Sequence, residues 1–107
     1  MSKKTGVKPP EHLSVESKGI WSDAVSQYEL SSADLALLRV ALENRDLGNA
    51  ARQDLRKRGN VLETPQGFKT NPSLIAAKSH DGLFLSAMRQ LGLDLADGPE
   101  ERPERDA

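Results

Sequence analysis

Few residues in this chain of 107 could carry out chemistry, and their types are restrictive. There are two histidines, His12 and His80, and no cysteine. His80 and Asp81 are adjacent, a pair that supplies two ligands in some metal-hydrolase centres, but such centres draw further ligands from other helices. Neighbouring residues on a helix also point in different directions. The spacing therefore predicts His80 at the edge of a helix face and Asp81 in solvent. No glycine-rich phosphate loop is present, and no nucleophile sits in a recognisable setting. The expected protein is not an enzyme and uses no cofactor and no metal.

The basic residues are more informative. Arg52, Arg56, Lys57 and Arg58 crowd one short stretch, with Asp54 as the only acid among them. Lys3, Lys4 and Lys8 make the first residues basic. Both groups are candidate contacts to DNA phosphates. Cations near a helix C-terminus also suit the helix dipole, so the cluster has a purely structural reading too. No basic strand carries interleaved aromatics, which argues against base stacking on single strands or RNA. The YELSS connection at 28–32 has no glycine, and the helix after it starts too apolar to lie in a groove, so a helix-turn-helix is not expected.

Three helices must hold these residues. Ser14 is placed to cap the first, with Glu16 in its first turn. Ile20, Trp21, Ala24, Val25 and Tyr28 mark one face, and the helix should end near Tyr28 to Leu30. Ser31-Ser32-Ala33-Asp34 is a capping box with Asp in the Glu position. From there nothing breaks helix up to Arg58. Leu37, Val40, Ala41, Leu47, Gly48, Ala51 and Leu55 trace its predicted buried stripe, widened by Leu35, Leu38 and Leu42. Gly48, near Ala41, Ala50 and Ala51, would allow a close helix approach, and Gly59 would end the helix in a left-handed cap. Val61-Leu62-Glu63 and Phe68-Lys69-Thr70 read as short strands turned by Pro65-Gln66-Gly67. A lone hairpin is marginal in water, so 61–70 must lean on the helices or on another subunit, and its open edge offers pairing to one. Asn71 and Pro72 start the third helix. Its face is Ala77, His80, Phe84, Ala87, Met88 and Leu91, broadened by Leu83 and Leu85, and Gly92 closes it.

The predicted fold class is mainly α: three helices, a long central one, and a β-hairpin between helices 2 and 3. The domain reading is a flexible basic arm over 1–12, a helical oligomerisation domain over 13–92 and a flexible acidic tail over 93–107. The tail carries six acids against Arg102 and Arg105. With 36% apolar residues, four aromatics and no disulfide, the core is small, which makes a homo-oligomer the expected state. The absence of cysteine fits a reducing compartment. No apolar run is long enough to span a membrane, so no membrane partner is expected.

The order of the segments is itself a pattern. PPEHLSVESKGIW at 9–21 is followed by YEL at 28–30 and DLALLRVALENRD at 34–46. AARQDLRKRG at 50–59, GFKTNP at 67–72 and MRQLGLDL at 88–95 complete it. Together these resemble the small subunit of tailed-phage terminases, in the branch with a Gly-x-x-x-Asn-Pro step before the last helix. The resemblance covers roughly residues 9 to 95. It departs at Lys78-Ser-His-Asp-Gly82, which is more polar and less arginine-rich than the family pattern. The resemblance implies a non-catalytic packaging factor in the cytoplasm of a bacterial host. Such a factor forms a ring, binds double-stranded viral DNA and engages the large terminase subunit, which holds the ATPase and nuclease. The 93–107 region would be a docking segment for that subunit. Two alternatives remain open: a protein-interaction module that acts on a motor without touching DNA, and a small dimeric DNA-binding regulator of repressor or antitoxin type.

Overall fold

The computed structural model describes residues 7–93. Three helices and one hairpin follow in the order α1 (Val15–Gln27), α2 (Ser32–Arg58), β1 (Val61–Thr64), β2 (Gly67–Thr70), α3 (Pro72–Leu91). The chain is mainly helical, with a long central helix as expected. Each helix starts on the residue whose side chain can satisfy its orphan amides. The Ser14 hydroxyl accepts from the Ser17 amide. Ser31 and Asp34 close a reciprocal capping box. The Asn71 side-chain oxygen accepts from the Ser73 amide, with Pro72 in the first turn. Helix α1 ends at Gln27 with Tyr28 as its cap, at the near edge of the expected range. Gly59 ends α2 at φ 85° and ψ 172°, so its φ is positive but its ψ is extended. That geometry turns the chain straight into β1 instead of the left-handed cap expected.

Helices α2 and α3 form an antiparallel pair, with the ribbon at the far end. The strands pair antiparallel, Val61 opposite Thr70 and Glu63 opposite Phe68. The core lies at the opposite end. Leu13, Trp21, Ala24 and Val25 pack there with Leu38, Ala41 and Leu42 of α2 and with Ala87 and Met88 of α3. The radius of gyration is 17.1 Å and the envelope 60 × 41 × 20 Å. A compact chain of this size would have a radius of about 13 Å, so the body is elongated.

The buried line on α2 differs from the predicted stripe. Leu38 and Leu42 are fully buried, whereas Val40 and Leu47 are exposed. The helix is held on two sides, by α1 and by α3, and its third side faces outward. Leu83 and Leu85 are exposed as well, because α3 packs mainly on α2 and buries a single line. Gly48 has the role expected of it. It is buried against α3, and a Cβ there would come within 2.8 Å of an Asp81 carboxylate oxygen.

Candidate nucleic-acid interface

Lys3 and Lys4 lie outside the described residues. Lys8 is exposed at the α1 end of the body, next to Val7, whose carbonyl accepts the Trp21 indole N–H at 3.2 Å. The four cations of late α2 separate into two kinds. Arg52 donates to Asp81 of α3 and to Asn49, so it is half-buried in the helix pair. Arg58 forks onto Asp54 at 2.7 and 3.0 Å, one turn back on the same helix. Arg56 and Lys57 are exposed and meet no carboxylate among the described residues. Of the seven candidates, then, Lys8, Arg56 and Lys57 present charge to solvent. Arg52 and Arg58 hold the scaffold, though the guanidinium of Arg58 remains largely exposed.

Asp54 is the hub of the joint that carries the ribbon. Besides Arg58, it accepts from the Asn71 amide at 3.0 Å and the Ser73 hydroxyl at 2.8 Å. Asn71 also donates to the Gly59 carbonyl at 2.9 Å, and its own amide reaches the Asn60 carbonyl at 2.7 Å. One buried asparagine thus ties the end of α2 to the start of α3, on either side of the ribbon. Hydrogen bonds from Arg58, then Ser73 and Asn71, hold the Asp54 carboxyl far below the usual carboxylate range. A second hub docks α1. Asp46 accepts from the Ser14 amide at 2.8 Å and the Ser14 and Ser17 hydroxyls at 2.7 and 2.6 Å. Burial opposes its charge, but the hydrogen bonds from Ser17 and Ser14 outweigh that and lower its pKa.

A carboxyl depressed on folding binds fewer protons folded than unfolded, so its contribution is present above its unfolded pKa and fades as pH falls through the folded one. Stability is therefore expected to decline from about pH 4 downward, near the unfolded carboxylate value. Asp54→Asn should flatten that acid limb. Urea midpoints measured across the acid range check this, and an unchanged limb contradicts it.

The same geometry bears on catalysis. A polar groove of about 460 Å³ runs between the start of α1 and α2, lined by His12, Arg45, Asp46, Asn49 and Arg56, among others. Its histidine meets Glu43 at 2.7 Å, while the Ser14 and Ser17 hydroxyls are turned onto Asp46. His80 bonds Asn44 at 2.7 Å, and Asp81 is paired with Arg52 instead of lying free in solvent. Among the described residues no three His, Cys, Asp or Glu side chains gather as metal ligands. No helix among them is long and apolar enough to cross a membrane.

Sequence reading missed the Asp46 hub and the Arg52–Asp81 pair, since both depend on which helix turns meet. The Arg58–Asp54 pair has an i, i+4 signal and could have been found. No protein-family model matches the chain, and no curated protein or solved structure shows significant similarity to it.

Proposed function

We propose that this chain is a small terminase subunit: a non-catalytic adaptor that assembles into a ring, binds viral duplex DNA and recruits or regulates the large ATPase/nuclease subunit. The ordered series of segments from Pro9 to Leu95 motivates the family. The structural observation that carries the assembly is a pair of unlike apolar patches at different ends of an elongated body. On the ribbon, Val61 and Phe68 share one face with Glu63 and Thr70 and are 57% and 75% exposed. On the third side of α2, nearer the core end, Val40 and Leu47 lie two turns apart and are exposed. One patch per subunit favours a two-fold dimer. Two unlike patches favour head-to-tail contacts, which close into a ring when the rotation allows. Burying a large apolar side chain contributes about 1.5–3 kcal/mol, and a ring repeats each contact at every interface.

The test is a pair of exposed substitutions, Phe68→Ser and Leu47→Ser. Each should shift the assembled species to smaller ones in native mass spectrometry while leaving helicity unchanged. Full-size assemblies in both variants would contradict the proposed contacts. The regulator alternative differs in predicting a dimer that resists both substitutions.

A further inference from the structure

The charges of the described residues are sorted along the body. Residues 7–48 hold four Lys and Arg against seven Asp and Glu, a net of −3. Residues 49–80, which form the ribbon end, hold six against two, a net of +4. Internal pairing accounts for Arg52 with Asp81 and Arg58 with Asp54. Arg56, Lys57, Lys69 and Lys78 remain, all exposed and without a carboxylate partner among the described residues, against the single exposed Glu63. Glu16 and Asp46 line the same groove as Arg56, so the acidic side offsets that cation in part, while Lys57, Lys69 and Lys78 are not among the groove residues. Charges separated by more than about 8 Å are largely screened from one another at physiological salt, so the acids at the start of α2 do not cancel these ribbon-end cations.

We infer that the ribbon end, through Arg56, Lys57, Lys69 and Lys78, is the surface that meets the phosphate backbone of duplex DNA. The major groove of B-DNA admits a two-stranded ribbon, and this one turns at Pro65-Gln66 between the end of α2 and the start of α3. Arg56 and Lys57 stand in the last turn of α2, just before the ribbon, and Lys78 in the second turn of α3, just after it. Lys69 stands on the ribbon face opposite Phe68, so phosphate contact and the apolar subunit contact use different faces. The inference rests on the DNA-binding part of the proposed function and moves the contact away from the arm, which joins the body beside α1. It also adds Lys69 and Lys78, neither of which belongs to a basic run in the sequence.

The experiment measures binding of the full chain to a labelled duplex of about 30 base pairs across salt from about 50 to 200 mM. Wild type should bind, with affinity falling steeply as salt rises. Removing one phosphate-binding cation flattens the log–log slope by about 0.9. Lys69→Ala with Lys78→Ala should therefore lose roughly tenfold less affinity over that range than wild type does. Lys18→Ala with Arg89→Ala, which removes the same charge at the α1 end of the body, should leave the slope as in wild type. If the α1-end pair flattens the slope and the ribbon-end pair does not, DNA binding stands and this placement is overturned. Absence of any duplex binding by wild type overturns both, and would leave an acidic protein as the partner of the basic end. None of the four substituted residues is buried, so each variant should fold, and unchanged helicity checks that it does.

Discussion

Asn71→Ala is expected to lower the unfolding free energy by about 3 kcal/mol, a large share of what a small domain has. Asn71 is fully buried and its side chain makes three hydrogen bonds. Losing the cap on the Ser73 amide costs about 1 kcal/mol. The half-buried Gly59 carbonyl loses its amide donor, which costs a further 1–3 kcal/mol or so at most. Asp54 keeps Arg58 and Ser73, so its share of the loss is smaller. Asn71→Asp separates the parts. It retains an acceptor for the Ser73 amide but removes both donated bonds and brings a second carboxylate to Asp54, so it should be no more stable than the alanine variant. Urea midpoints at fixed protein concentration read the effect, because assembly makes stability concentration-dependent. A loss below about 0.5 kcal/mol for Asn71→Ala would mean that the joint is not held as described.

Trp21→Ala is expected to cost about 3–5 kcal/mol. The indole is 4% exposed at the centre of the α1 contribution to the core, and its N–H reaches the Val7 carbonyl. Helix α1 has a short contact with α2, so its attachment depends on Trp21 with its apolar neighbours and on the Asp46 hub. Limited proteolysis should cut the alanine variant first around α1, while the α2–α3 pair persists longer. Trp21→Phe retains most of the packing and loses the hydrogen bond, and should cost only about 1 kcal/mol plus a small packing term. A Trp21→Ala loss under about 1 kcal/mol, or cleavage that starts in the ribbon, would place the weak point elsewhere.

The helix boundaries were legible because the signals that set them are local. Ser14, the Ser31–Asp34 box, Asn71-Pro72 and Gly92 each act within about one turn. The hairpin was legible for the same reason. The buried side of α2 was less so. Its apolar residues circle more than half the helix, and which of them turn inward depends on how many partners it has. With α1 on one side and α3 on another, Leu38 and Leu42 are buried and Val40 and Leu47 are left outside. The candidate cations show the same limit. The composition of late α2 indicated a basic patch, but Arg52 is neutralised by Asp81 on a different helix, 29 residues away in sequence. Lys69 and Lys78 join Arg56 and Lys57 only once the antiparallel pair brings the ribbon and both helix ends together.

The proposed function depends on assembly into a closed ring through two unlike patches. Native mass spectrometry of the wild-type chain at moderate salt tests it most directly. One dominant species larger than a dimer is expected, with a fixed copy number that does not grow with concentration. A monomer or a two-fold dimer as the dominant species would contradict it.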